Sequence, residues 1–187
     1  MRRGFKAEAE RRALSARTSL GIDALARLDP WAYAESLNVM VLEAADLDLE
    51  PEHAEQLLRR DPNSWSGMTL FEDGEHVVVL NTSDSQARKC ATLMHELAHI
   101  LLDHTPADVD VSPSGLVLLS DYSSEQEDEA DWLGAALLLP ETALLHHRGS
   151  GRTISEIAAL FEVSVDLCTW RCRMTGVEKR LAFRKRA

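Results

Sequence analysis

Two histidines and a glutamate lie within one short segment that has helical periodicity, His95-Glu96-Leu97-Ala98-His99. At 3.6 residues per turn, side chains four positions apart point in nearly the same direction, so both imidazoles can bind one metal ion. Glu96 follows the first histidine, within reach of a water in an open metal position. Zinc lowers the pKa of such a water toward neutrality, and a carboxylate can then accept its proton. The spacing predicts a hydrolytic metal centre with His95 and His99 as ligands and Glu96 as general base.

A hydrolytic zinc site needs a third protein ligand and an open fourth position. One arrangement places a third histidine ten residues after the first, with glycine at the seventh position. Here these positions hold Thr105 and Leu102, and His104, one residue away, is not a suitable substitute. The other arrangement uses a glutamate from a later helix, and the acidic segment 125–131 supplies the candidates.

The acidic segment contains three possible third ligands, Glu125, Glu127 and Glu129. A helix that supplies a ligand must lie close to the histidine helix, so the residues on its facing side should be small. From Glu127 this side continues through Ala130, Asp131 and Gly134, which are all compact. Asp131, one turn later, can accept the second N–H of a ligand histidine, which fixes the ring and strengthens the ligand. We therefore prefer Glu127 as the third ligand and Asp131 as the outer partner of a histidine.

The remaining sequence predicts an α+β domain. A valine-rich segment predicts a strand at 38–44, and two further strands are predicted at 65–72 and 76–81, joined around Asp73-Gly74, a hairpin signal. Helices are predicted at about 6–28, from Pro30 through Leu37 and at 51–60. Three more are predicted from the capping residues 81–85 to about Leu102, from about Ser124 to Leu139, and at 141–147. A loop of roughly twenty residues with Pro106, Pro113 and Gly115 follows Leu102. These elements predict a small, mostly antiparallel three-stranded sheet packed on helices.

The C-terminal part of the chain has a helical pattern of its own. Gly149-Ser150-Gly151 is a flexible joint, and 153–175 then shows a helix-turn-helix pattern in which Ser164 caps the second helix. We therefore divide the chain into a domain at 1–147, which includes the N-terminal helices and the metal centre, and a C-terminal helical subdomain at 148–187 with a basic tail.

Charge and composition limit the classes of partner and compartment. The net charge is −11, and it divides into +5 for 148–187 and −16 for the rest. A body this acidic repels a phosphate backbone, so nucleic acid is not expected as a main partner. No apolar run can span a bilayer and no hydrophobic stretch follows the basic N-terminus, so neither a membrane anchor nor a secretory signal is predicted.

The cysteines agree with a cytoplasmic protein. There are three, Cys90, Cys168 and Cys172, and this odd, sparse number predicts reduced thiols rather than a disulfide framework. Cys168 and Cys172 would share one helix face. A metal pair is conceivable there, but packing is the preferred interpretation, because buried cysteine usually acts as a small apolar residue.

With these residues in view, the sequence resembles the ImmA/IrrE family of metallopeptidases. The matching features are Asn81 at the end of a strand, Arg88 and Thr92 before the HELAH segment, the EDEADWLGAALLLP run from Glu127 to Pro140, the N-terminal pattern up to Val39, and the C-terminal IAALFEVS. The resemblance covers about residues 5–175. The family often has other residues at positions 98, 131, 133, 134 and 139, but none of these departures removes a ligand or the base.

The resemblance implies a zincin-like fold with one zinc ion and a C-terminal helix-turn-helix-like appendage. It also implies an endopeptidase that cleaves one specific protein, a helix-turn-helix repressor encoded nearby on a phage or mobile element. The protein would then act in transcription regulation, with narrow specificity and low turnover.

Peptide hydrolysis is the expected reaction, with Glu96 taking a proton from water and passing it to the leaving amine. We expect the substrate to add as a strand to a sheet edge at 76–81. A second oxyanion donor is usual in such sites, and Tyr122, His104, His146 and His147 are unranked candidates.

Two other functions stay open. A non-catalytic zinc-binding regulator could sequester its partner without cutting it, and only activity would separate this function from a peptidase. A DNA-binding regulator could use 153–175, and a salt-dependent gel shift would support it. Manganese or iron can also occupy a site of two histidines and a carboxylate.

Overall fold

The computed structural model describes residues 1–47, 65–72, 74–106, 108–111, 117–120 and 122–184. Within these residues the helices are α1 (Phe5–Ser19), α2 (Pro30–Ser36), α3 (Gln86–Leu101), α4 (Ser124–Leu138), α5 (Glu141–Gly149), α6 (Ile154–Phe161), α7 (Val165–Thr175) and α8 (Val177–Arg184). The strands are β1 (Met40–Glu43), β2 (Gly67–Glu72), β3 (Glu75–Leu80), β4 (Asp108–Val111) and β5 (Val117–Ser120). The α+β class is confirmed. The helix predicted at 51–60 lies outside the described residues.

The sheet is larger than the predicted three-stranded one. Its strand order is β1-β3-β2-β5-β4, with β1 and β3 parallel and the other pairs antiparallel, so the mostly antiparallel arrangement is confirmed. Strands β4 and β5 belong to the segment that was predicted as a long loop. That prediction rested on the prolines and overlooked the alternation of aspartate and valine in Asp108–Val111, which is a strand signal.

Strand β3 lies inside the sheet rather than at its edge. Val77 pairs with Met40 of β1 on one side and with Leu70 of β2 on the other. Since both sides of β3 are hydrogen-bonded to neighbouring strands, a substrate cannot add to it, and the prediction of substrate binding along 76–81 is wrong. In the described part of the sheet, the edge strands are β1 and β4.

Helix α1 is shorter than the predicted helix at about 6–28. It ends at Ser19, and Gly21 then takes a left-handed conformation with φ of 68°. The N–H of Ile22 donates to the carbonyl of Arg17 at 3.0 Å, which closes the helix end. Alanines and one phenylalanine form the buried side of the helix, at Phe5, Ala9, Ala13 and Ala16.

Two buried arginines hold the C-terminal end of α4. Arg17 of α1 donates to the carbonyl of Leu138 at 3.3 Å, and Arg171 of α7 donates to the carbonyl of Leu139 at 3.0 Å. The second arginine also pairs with Glu10 of α1 at 2.5 Å. Carbonyls at a helix end have no partner within the helix, and cations complement its negative end. Helices from both ends of the chain therefore fix the position of α4.

The segment after residue 148 forms the predicted two-helix pattern. Ser164 caps α7 by accepting the N–H of Leu167 at 3.1 Å. Cys168 and Cys172 form no disulfide, and both are buried in the common core. The division of the chain near residue 148 stays a prediction. Within the described residues, no helix is long and apolar enough to cross a membrane.

Helices α3 and α4 cross at a glycine. A Cβ atom at Gly134 would lie 2.9 Å from the carbonyl oxygen of Met94 and 3.1 Å from the backbone nitrogen of His95. Such contacts are too short, and they involve backbone, which cannot rotate away. The close approach of the two helices, predicted from the small residues after Glu127, therefore depends on glycine at this position.

We expect the Gly134→Val variant to separate these helices. Overpacking in a core lowers the free energy of unfolding by about 1–3 kcal/mol. The predicted metal centre should bind its ion more weakly as well, because α4 carries Glu127 and α3 carries His95. Urea denaturation and a zinc titration measure the two effects. The control is Asp128→Val on the exposed side of α4, which should change stability by less than about 1 kcal/mol. Equal effects of the two variants would contradict the prediction.

Candidate metal centre

Three predicted ligands converge between α3 and α4. His95 and His99 lie one turn apart on α3, and their Nε2 atoms are 3.1 Å apart. Glu127 of α4 places Oε2 at 3.2 Å from Nε2 of His95 and Oε1 at 3.7 Å from Nε2 of His99. A tetrahedral zinc ion with bonds of about 2.0–2.1 Å separates its ligand atoms by about 3.3 Å. The spacing of these three side chains fits such an ion, and they are the group of His, Cys, Asp and Glu in the described residues that can hold a metal.

The pKa values of the two histidines shift in opposite directions in the metal-free protein. Burial, followed by the neighbouring His95 and His104, lowers the pKa of His99 to about 3. Burial also lowers the pKa of His95, but the hydrogen bond that its ring donates to Asp131 and the charges of Glu96, Asp131 and Glu127 outweigh this effect and leave that pKa raised. His99 therefore keeps a lone pair for a metal, whereas at His95 a metal competes more strongly with a proton.

Asp131 contacts the ring nitrogen of His95 that does not face His99 and Glu127. Its Oδ1 atom is 2.9 Å from Nδ1 of His95, and the side chain is exposed. A carboxylate at this nitrogen holds the hydrogen on Nδ1 and leaves the Nε2 lone pair directed toward the cluster, which is formed by His95, His99 and Glu127. Asp131 thus lies one helical turn after Glu127, at the position predicted for an outer partner of a histidine.

Glu96 lies beside the cluster but outside the three ligand atoms. Its Oε2 accepts a hydrogen bond of 2.6 Å from the hydroxyl of Thr69, a fully buried residue of β2. Burial raises the pKa of Glu96, and the hydrogen bond from Thr69 opposes this shift. Thr69 is not among the site residues predicted from the sequence. The available signal was a hydroxyl residue at the centre of the otherwise mostly apolar strand 67–71.

The other two candidate glutamates point elsewhere. Glu125 pairs with the amino group of Met1 at 2.9 Å and has a side chain that is 61% exposed. Glu129 is buried and accepts hydrogen bonds from the backbone N–H of Arg2 at 2.7 Å and from its Nε at 3.0 Å. Neither carboxylate belongs to the group of ligand atoms around His95 and His99.

Two of the four oxyanion candidates contact the centre. The ring of Tyr122 stacks on His99 with centroids 3.8 Å apart, and burial followed by the charges of Glu96 and Glu127 raises the pKa of Tyr122 to about 12. The ring of His104 lies with Nδ1 at 3.1 Å from Nδ1 of His99. The remaining two candidates, His146 and His147, contact each other, and the second packs on Phe161. Within the described residues neither contacts the cluster.

A cleft of about 310 Å³ opens onto the centre. It lies between the start of β2, α3 and α4 and is lined by Ser66, Gly67, Ala91, Thr92, His95, Glu96 and Asp131. The lining away from the cluster consists of small side chains, so the groove leads directly to Glu96 and His95.

A protein-family model described as the IrrE N-terminal-like domain, Peptidase_M78, matches residues 35–172. The matched range contains the three residues of the cluster as well as Glu96, Asp131 and Thr69. No curated protein matches the chain.

Proposed function

The chain belongs to the IrrE N-terminal-like family of metallopeptidase type, and from this premise we propose that it is a zinc-dependent endopeptidase that cleaves one specific protein. The observation that carries the proposal is the convergence of His95, His99 and Glu127 at zinc-like spacing, with Glu96 beside them. Family membership supports a metallopeptidase-type function, and the proposal adds the ion, the reaction and the class of substrate.

Zinc is the ion that suits this donor set. Two imidazoles and one carboxylate are a common catalytic zinc set, which leaves a fourth position for water or substrate. When bound, zinc supplies Lewis acidity that activates water and polarises the scissile carbonyl. Manganese and iron bind similar ligands, so metal analysis of the purified protein decides between them.

Glu96 acts as general base and then as general acid. Its carboxylate accepts a proton from the attacking water and delivers this proton to the leaving amine. The hydroxyl of Thr69 holds Oε2 in place, and Oε1 is then the oxygen that accepts the proton. In the metal-free protein burial raises the pKa of Glu96, which makes its carboxylate a stronger base.

The substrate binds beside the start of β2, not along β3. Gly67 lies at the cleft. A Cβ atom added at Gly67 would lie 2.5 Å from the side chain of Thr92, which is too close for a normal contact. A cleft of about 310 Å³ holds an extended main chain and not a folded domain. The scissile bond therefore lies in a loop or linker of the target, such as a segment that joins the parts of a helix-turn-helix repressor. Tyr122 is the preferred oxyanion donor, because the ring of His104 is occupied with His99.

The direct test is incubation of the zinc-loaded protein with a helix-turn-helix protein encoded beside its gene. Intact-mass spectrometry should show two fragments whose masses add up to the substrate plus one water. A chelator should stop the reaction, and added zinc should restore it. In the same assay, Tyr122→Phe should lower kcat by about 10²–10³-fold, as the loss of one oxyanion donor does. An intact target in a stable complex with the zinc-loaded protein would contradict cleavage and favour sequestration.

A further inference from the structure

The chain folds back after α3 so that a second imidazole lies behind a proposed metal ligand. Asp103 takes a left-handed conformation with φ of 51°, and the N–H of His104 donates to the carbonyl of His99 at 3.1 Å. This turn brings Nδ1 of His104 to 3.1 Å from Nδ1 of His99. The two rings meet edge to face, and both side chains are nearly inaccessible, 1% and 6% exposed for His99 and His104.

A hydrogen bond between the two Nδ1 atoms requires a hydrogen on one of them and a lone pair on the other. Nε2 of His99 faces His95 and Glu127, so a metal at the cluster takes its lone pair there. A neutral ring that offers the lone pair of Nε2 carries its hydrogen on Nδ1. His99 is therefore the donor and His104 the acceptor, and His104 must carry its own hydrogen on Nε2.

A buried carboxylate stabilises that tautomer of His104. Oε2 of Glu129 lies 3.7 Å from Nε2 of His104, and the side chain of Glu129 is 4% exposed. Arg2 holds both oxygens of this carboxylate through its Nε at 3.0 Å. The negative charge of Glu129 thus faces the nitrogen of His104 that carries the hydrogen.

We propose that His104 is a positioning residue for the metal ligand His99, with Glu129 fixing the tautomer of His104. This inference rests on the metal centre of the proposed function but not on peptide cleavage. It gives each ligand histidine an outer partner. His95 has an exposed carboxylate in direct contact, whereas His99 reaches a buried carboxylate through a second imidazole.

The test compares two substitutions of His104. Asparagine places its side-chain oxygen close to the position of Nδ1 of histidine and keeps the acceptor, whereas leucine has a similar size and no acceptor. Loss of an outer partner lowers metal affinity by about 10–100-fold. Competition with a chromogenic chelator should show this loss for His104→Leu and a zinc affinity near that of the wild type for His104→Asn. The control is His146→Leu, at an exposed histidine of α5, and thermal melting of the metal-free proteins verifies their folding.

A second readout needs no substitution. Long-range ¹H–¹⁵N spectra of the zinc-loaded protein should show His104 neutral with its hydrogen on Nε2, and His99 with its hydrogen on Nδ1. A hydrogen on Nδ1 of His104 would overturn the inference. So would equal zinc affinities of the wild type and both His104 variants, or an equal loss in both, because the acceptor atom would then be irrelevant. If the wild type itself binds no zinc, the metal centre of the proposed function fails as well.

Discussion

Replacing Glu96 by glutamine should abolish cleavage and leave the metal centre intact. The amide has nearly the size of the carboxylate, and its oxygen can still accept the hydrogen bond from Thr69. Glutamine cannot accept the proton of the attacking water, and the loss of such a general base lowers kcat by about 10²–10⁴-fold. The zinc affinity should stay unchanged, because Glu96 is not among the ligand atoms of His95, His99 and Glu127.

Two measurements on the same preparation test this prediction. Metal analysis should give one zinc ion per chain for both the wild type and Glu96→Gln, and mass spectrometry should show substrate fragments for the wild type alone. The control is Glu125→Gln, since that exposed carboxylate pairs with the amino group of Met1 and lies outside the cluster. Cleavage by Glu96→Gln at the rate of the wild type would refute the role of general base.

The second large effect concerns the third ligand. Glu127→Ala should lower the zinc affinity by more than the about 10–100-fold that follows the loss of an outer partner, because a direct ligand is removed. Glu125→Ala, two residues earlier on the same helix, should keep the wild-type affinity. Both replacements remove one carboxylate from the first turns of α4, so the helix dipole is affected similarly in the two variants.

The increase in melting temperature with added zinc measures the same difference in zinc affinity between the two variants. At a free zinc concentration of 100 times the dissociation constant, binding stabilises the folded wild type by about 2.7 kcal/mol. The melting temperature of the wild type and of Glu125→Ala should rise with zinc, whereas that of Glu127→Ala should not rise at the same concentration. An equal rise in all three proteins would show that Glu127 is not a ligand.

The local sequence was sufficient for the elements that carry the site. The four-residue spacing of His95 and His99 places both rings on one side of α3 whatever the helix packs against, because it depends only on helical geometry. The small residues after Glu127 indicated a close helix crossing, and the backbones of α3 and α4 do approach closely at Gly134. The three predicted strands form for a similar reason, since their composition favours an extended chain.

Other features depend on residues far apart in the chain. The sequence pattern predicts a buried side of an element but does not identify the element that covers it. The hydroxyl of Thr69 reaches Glu96 across 27 positions, and Arg2 reaches Glu129 across 127. The position of β3 inside the sheet depends on which strands pair with it. The short Asp-Val alternation predicts a strand at β4, but it does not identify β5 as the strand that pairs with it.

The sequence by itself determined that two imidazoles and a carboxylate share one helical segment, and that a second acidic helix follows. The small residues after Glu127 favoured it among three acidic candidates, and the tertiary structure decided which of them faces the histidines. Glu125 and Glu129 lie one turn apart on one side of α4, whereas Glu127 points to another side. The crossing at Gly134 turns Glu127 toward the histidines. Glu129 is left facing Arg2 and His104. Helical spacing is a local property of the backbone, whereas the relative rotation of two packed helices depends on all the contacts between them.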